Sequence, residues 1–318
     1  MPTATGETNQ FRQENQRGRV VDIRSIVLYI SCTRTGTLTS RDTPLAPRIT
    51  PRKSLGQNFL RDENIARKII AAIDPRADDC LLEIGPGDGV LTRHLAGRVR
   101  MLTVVDVDPR VTSALRDQFA GTGVTVIEGD ILDTDLAALA TSCGGPLRVV
   151  GNIPYNITSP ILFHVLDNRR HVVDVTLMVQ REVARRMTAR CGSPDYGILS
   201  VFCSYWADTK LLFEVSPHVF RPEPKVTSAV VQLRMRSAPE TPAHDEELFR
   251  VMVRTVFGKR RKTLRNSLAY LPALEGHPLP PLPFMDRRPE ELTVHELVEL
   301  SNLLQASMDT HETGTHGA

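Results

Sequence analysis

The chain has 318 residues, of which 41% are apolar and 24% charged, with a net charge of +2. That composition can bury an ordinary core and excludes a disordered polymer; the length suggests roughly two domains. No window approaches the roughly 18 consecutive apolar residues of a membrane span. The five cysteines (32, 80, 143, 191 and 203) are odd in number, widely spaced and without a C-x-x-C pair, which argues against a disulfide framework or a zinc site and for a reducing cytosol.

In chain order, residues 1–50 are rich in Thr, Arg and Ser and show no sustained period. The apolar island 20–30 is broken by Asp22 and Arg24 and lacks a small-residue cleavage pattern, so a secretory signal is not expected. Disorder is the expectation for this extension, with an organelle transit segment or a start codon assigned too far upstream as alternatives. The run Arg52-Lys53-Ser54-Leu55-Gly56-Gln57-Asn58-Phe59-Leu60 follows. Its Gly, Gln and Asn favour an irregular loop able to lie over a ligand, ahead of a helix over 62–73.

Leu81-Leu82-Glu83-Ile84-Gly85-Pro86-Gly87-Asp88-Gly89 is an apolar strand entering a glycine-rich turn, with a helix expected over 90–99. A second strand, 101–107, ends in Asp106 and Asp108, which two-residue spacing places on one face. A carboxylate there can accept both hydroxyls of a ribose. The G-x-G-x-G spacing differs from the dinucleotide G-x-G-x-x-G, which favours an adenosyl ligand other than NAD. A third strand, 124–129, leads to Asp130, either an acceptor for an adenine amino group or a helix N-cap.

The apolar run Leu147 to Gly151 reads as a buried parallel strand that Pro154 ends. It delivers Asn152-Ile153-Pro154-Tyr155 to the carboxyl edge of the sheet, where open α/β sheets bind ligands. An amide, a carbonyl freed by proline and an aromatic face suit holding a planar heteroaromatic amine in line with an electrophile. A helix over 161–166 with Ser159 as N-cap and Pro160 at the first position comes next, then a strand at 173–179. Helices at 182–187 and 198–205 precede two closing strands, 210–215 and 226–234, which flank the stiff loop Phe220-Arg221-Pro222-Glu223-Pro224-Lys225. This alternation indicates an α/β fold with a doubly wound, mostly parallel sheet.

Beyond about residue 238 only helices are expected. Residues 246–268 place Phe249, Val253, Val256, Phe257, Leu264 and Leu268 at helical spacing. Residues 246–266 hold seven Lys or Arg against two Glu, either a solvated face or a phosphate-binding footprint. A proline-rich link (272–289) and a helix over 294–304 complete the pattern, with disorder expected after Ser307. The expected organisation is a disordered extension (1–50), a ligand-binding α/β domain (51–238), a smaller all-helical domain (239–306) and a tail (307–318).

Together these motifs resemble the ribosomal RNA adenine dimethyltransferases, specifically the bacterial KsgA/RsmA type, over residues 52 to about 305. The resemblance rests on Lys53 to Leu60, Glu83 to Gly87, Gly151 to Asn156, and Phe220 to Val226. Val256-Phe257 with the basic run, and Arg288-Pro289-Glu290-Glu291-Leu292, extend it towards the C-terminus. It implies a Rossmann-like methyltransferase sheet that binds S-adenosyl-L-methionine through Asn58, Leu60, Gly85, Asp106, Asp130 and Asn152. The position of Asp106 usually carries Glu in this family. The implied reaction dimethylates N6 of two adjacent adenines in a hairpin loop near the 3′ end of small-subunit rRNA.

In that reading Asn152 and a carbonyl at Ile153 or Pro154 accept the N6 hydrogens, Tyr155 stacks on the base and Phe220 closes its other face. Arg254, Arg261, Lys262 and Arg265 contact RNA phosphates. The implied partner is small-subunit rRNA in an immature 30S particle; no metal or membrane is expected, and the chain is expected to be monomeric and cytoplasmic. Rival readings are a NAD-dependent oxidoreductase, which leaves Asn-Ile-Pro-Tyr unexplained, and an RNA-binding assembly factor, which needs neither Asn152 nor Tyr155. The erythromycin-resistance methylases, the close enzymatic rival, usually lack the Gly before Gln57-Asn58-Phe59.

Overall fold

The computed structural model describes residues 49–274 and 279–314, so the extension 1–48 lies outside the described residues. A short strand β1 (Phe59–Leu60) and helix α1 (Glu63–Ile73) open the fold; Asp62 caps α1 by accepting from the amides of Asn64 and Ile65. Then follow β2 (Cys80–Ile84), α2 (Thr92–Leu95), β3 (Met101–Asp106), α3 (Pro109–Gln118), β4 (Val124–Glu128), α4 (Leu136–Cys143), β5 (Leu147–Asn152) and α5 (Thr158–Asp167). The second half runs β6 (Val172–Gln180), α6 (Arg181–Thr188), α7 (Ile198–Trp206), β7 (Ala207–Val215), β8 (Phe220–Arg221) and β9 (Ser228–Met235). Helices α8 (Glu246–Gly258), α9 (Leu264–Leu268) and α10 (Val294–Gly314) end the chain.

Seven strands form one sheet in the order β4-β3-β2-β5-β6-β9-β7. Neighbours from β4 to β6 pair in parallel, while β9 is antiparallel to both β6 and β7. The order reverses between β2 and β5, so the carboxyl ends of Ile84 and Gly151, register partners, open a crevice there. Alternation along β2 sends Leu81 to the core beneath α1 and α3, and Leu82 and Ile84 to the core beneath α4 and α5.

The boundary expected near residue 238 is a change of secondary structure, and apolar packing continues across it. Phe249, Met252 and Val256 of α8 share one buried cluster with Phe202 and Tyr205 of α7. Several local expectations are corrected. The helix expected over 90–99 contracts to α2, because the glycine-rich turn extends through Leu91. Asp108 leaves the strand: Pro109 starts α3 and Asp108 caps it, accepting from Arg110 N. Ser159 is not an N-cap, since α5 already begins at Thr158, whose hydroxyl bonds back to the Pro154 carbonyl. The helix expected over 246–268 is broken between α8 and α9, and α10 continues to Gly314, past the Ser307 where order was expected to end. Finally, packing of α4 on β2 brings Cys80 and Cys143 to a Cα separation of 6.1 Å, where they pair as a disulfide. Sequence spacing alone could not reveal that contact.

Candidate active site

The crevice holds a cavity of about 370 Å³, lined by the loop Ser54 to Phe59, by Gly85 and Gly87, by Asp106 and Asp130, and by Asn152 to Asn156. That volume suits one small ligand. Gly85 and Gly87 adopt φ of +64° and +56°. A Cβ at Gly87 would stand 2.8 Å from the Phe59 ring, so only glycine lets the turn and the covering loop approach this closely.

At the end of β5, the Asn152 side-chain amide donates to the Asn58 carbonyl at 2.9 Å. A carbonyl only accepts, which fixes the amide's orientation and leaves Oδ1 as the free acceptor. Two carbonyls stand beside it. That of Pro154 already accepts from Ile157 N and from the Thr158 hydroxyl, which leaves the Ile153 carbonyl for a ligand. Tyr155 follows, half-buried, its hydroxyl 2.7 Å from the Ser228 hydroxyl. Burial pushes its phenol pKa up.

Two carboxylates occupy the other side. Burial pushes Asp106 up to about 6, against the opposing hydrogen bond from the Asp108 amide. Asp130 lines the cavity and also caps a 3-10 turn, accepting from Leu132 N at 2.9 Å; the two readings of this residue are compatible. Behind Asp106, the buried Asp108 accepts from Arg110 and from Gln57 Nε2 at 3.1 Å. Arg110 in turn donates to the Thr50 carbonyl at 3.0 Å. The Arg110 guanidinium beside Asp108 holds its carboxyl down to about 2. This clamp fastens the covering loop to the sheet edge.

Of the sequence-predicted residues, Asn58, Gly85, Asp106, Asp130, Asn152, Ile153, Pro154 and Tyr155 share this cavity. Leu60 and Phe220 do not. They pair across β1 and β8 and are buried with Val215 and Val230 beside a neighbouring groove. Alternation along β1 turns Phe59 into the cavity, while Leu60 lines a small adjoining pocket with Gly85 and Asn152; burial of the apolar Phe220 ring in that core accounts for its place. Arg110 and Ser228 escaped sequence reasoning, and Asp108, read there as a strand-end carboxylate, serves as the cap of α3, which the Asp-Pro pair after β3 signals.

Among the basic residues, Arg254, Arg261, Lys262 and Arg265 are all exposed. Arg254 lies over the Phe163 ring, Lys262 bonds the Tyr270 hydroxyl at 2.7 Å, and Arg265 pairs with Asp286 at 3.4 Å. Arg260 differs: it donates to the carbonyls of Pro194 and Ser193. Among the described residues no group of three His, Cys, Asp or Glu could hold a metal ion, and no helix is long and apolar enough to cross a membrane.

A sheet of this order, with carboxylates on one side of its crevice and a fixed amide acceptor and aromatic ring on the other, defines a Rossmann-like methyltransferase. Within that class the chain belongs to the ribosomal RNA adenine dimethylase family, whose model matches residues 49–277. It is 42% identical over 261 residues to a ribosomal RNA small subunit methyltransferase A of Chlorobium chlorochromatii, covering 82% of this chain and 96% of the relative. A protein of the same name from Chromohalobacter salexigens is 45% identical over 261 residues, covering 79% and 90%. Among solved structures, the 23S rRNA methyltransferase ErmE matches with a TM-score of 0.57 and 31% identity, over 77% of this chain and all of that one. A dimethyladenosine transferase from Plasmodium falciparum matches the fold with a TM-score of 0.64 at 24% identity, over 78% and 97%.

Proposed function

We propose that this chain uses S-adenosyl-L-methionine to dimethylate N6 of two adjacent adenines in a hairpin loop near the 3′ end of small-subunit rRNA, within an immature 30S particle, during ribosome biogenesis. The observation that carries the reading is the oriented Asn152 amide, whose Oδ1 is kept free by the Asn58 carbonyl at the mouth of an adenosyl-sized cavity. The donor set fits that cofactor. Asp106 can accept the ribose hydroxyls, Asp130 has a carboxylate oxygen to spare for the adenine amino group, and the glycine turn admits the ligand against backbone. When bound, the cofactor supplies an electrophilic sulfonium methyl.

The residues of this chain handle the target base. The lone pair on N6 of adenine is delocalised into the ring, so the amine is a poor nucleophile. Asn152 Oδ1 and the Ile153 carbonyl accept its two hydrogens and turn the lone pair towards the methyl. Tyr155 stacks on the extruded base, worth roughly 1–3 kcal/mol and opposing the cost of unstacking it. Orientation then supplies most of the rate. The alkylated ammonium loses its proton readily to water, so no dedicated base is required.

The exposed basic residues on and after α8 supply phosphate contacts. Identity of 41–45% to small-subunit enzymes, against 31% to ErmE, favours the small subunit. The test is methylation of ribosomal particles with labelled cofactor, followed by nucleoside analysis. Dimethyladenosine in small-subunit RNA is expected. Label confined to large-subunit RNA, or calorimetric binding of NAD and not of the methyl donor, would overturn the proposal.

A further inference from the structure

We propose that Ser228 is a positioning residue for the methyl transfer, holding the Tyr155 ring where the extruded adenine stacks. The inference rests on the reading of Tyr155 as the base platform and adds to it a residue from β9, two strands from β5 in the sheet. Ser228 is fully buried and opens β9. It is register partner to Gln180 of β6 and Val215 of β7, so the ladders on both sides fix its backbone. The preceding residue is fixed as well, because the Thr227 carbonyl accepts from Arg181 N at 3.0 Å. A hydroxyl so placed is as rigid as the sheet.

The backbone of Tyr155 is held between Pro154 and the first turn of α5, where the Thr158 hydroxyl approaches the Tyr155 carbonyl at 3.5 Å. Its Oη, 2.7 Å from Ser228 Oγ, gives the ring a second fixed point 73 residues away in the chain. A ring anchored at both ends keeps one rotamer before the base arrives. Without the Ser228 contact, stacking would have to immobilise the side chain during binding, a penalty of roughly 2- to 10-fold in productive encounter. The hydroxyl of Tyr155 thus has work of its own, separate from the stacking of its ring. Ser228 does not line the cavity; it acts through Tyr155.

The experiment compares the wild-type chain with Ser228→Ala, Ser228→Thr, Tyr155→Phe and the Ser228→Ala/Tyr155→Phe double variant. Steady-state kcat/KM is read on small-subunit particles, alongside calorimetric cofactor Kd and Tm. Expected are a 2- to 10-fold loss of kcat/KM for Ser228→Ala and for Tyr155→Phe, and recovery in Ser228→Thr, which keeps the hydroxyl on a residue suited to a strand. Cofactor Kd should stay unchanged, and the double variant should be no worse than either single one. The inference is overturned if Ser228→Ala turns over like the wild type, if the two losses multiply, or if cofactor binding weakens in step with turnover. A wild-type chain that makes no dimethyladenosine on these particles would instead sink the proposed function, and this inference with it.

Discussion

The Asn152 side-chain amide donates to the Asn58 carbonyl across 2.9 Å, tying the end of β5 to a loop 94 residues earlier in the chain. One contact therefore links the loop over the cavity to the group proposed to hold the target amine.

Asn152→Ala should lower turnover by roughly 10²–10³, the usual loss for one preorganised polar group, with the fold intact by circular dichroism. Asn152→Asp keeps an acceptor oxygen but sets a carboxylate against the Asn58 carbonyl. It should be nearly as inactive as Ala; wild-type activity in the Asp variant would show that the amide's orientation is irrelevant.

Replacing Tyr155 separates ring from hydroxyl. Tyr155→Ala should cost about 1–3 kcal/mol of base stacking, read as kcat/KM for the particle, and Tyr155→Phe distinctly less. Equal losses in the two variants would put the whole contribution on the hydroxyl.

Asp106→Ala should weaken cofactor binding by about 1.5–3 kcal/mol, the range for a charged hydrogen bond. Only the carboxylate can accept from both ribose hydroxyls, and burial raises its pKa to about 6. Affinity measured by calorimetry should be full above pH 7 and fall as pH drops through 6, and that dependence should vanish in the Ala variant.

Glu83 is buried, accepts from the Thr92 hydroxyl at 2.7 Å, and is pushed by burial up to about 7. A carboxyl whose folded pKa is raised stabilises the fold fully below its ordinary value and loses that contribution as pH rises through 7. Glu83→Gln removes the titration. The variant's Tm should gain on that of the wild type between pH 5 and pH 8, by no more than about 3 kcal/mol of stability. A gap independent of pH would refute the assignment.

Charge reversal of Arg254, Arg261, Lys262 and Arg265 to Glu should abolish particle binding and leave cofactor Kd unchanged. Each phosphate contact contributes roughly 0.7–0.9 to the log–log salt slope, so single Ala variants should each reduce it by about that amount. Arg260→Ala should lower Tm with the slope intact, because its guanidinium is occupied by the carbonyls of Pro194 and Ser193.

Gln57→Ala and Arg110→Ala loosen the clamp on Asp108. Both should raise the cofactor dissociation rate, measured by stopped-flow fluorescence, with little change in turnover at saturating cofactor. Because Arg110 keeps Asp108 ionised down to about pH 2, the effect of Gln57→Ala relative to the wild type should be the same at pH 6 and pH 8.

Local chemistry made much of this protein legible in one dimension. Runs ending in glycine, aspartate or proline marked β2 to β5 and placed Gly85, Asp106, Asp130 and Asn152 at the sheet's carboxyl edge; such a run is continuously apolar where a parallel strand is buried on both faces, as in β2, and mixed in the edge strand β4. What lay hidden were relations between distant residues. The clamp that joins Gln57 to Asp108, the Asn58–Asn152 and Tyr155–Ser228 bonds and the Cys80–Cys143 pair join positions that share no local pattern. Leu60 and Phe220 turned away from the cavity because β1 and β8 pair with each other and bury one face of both strands. Pattern reports which face of an element is apolar; which side chain reaches which partner depends on how the finished sheet brings strand ends together, and only packing decides that.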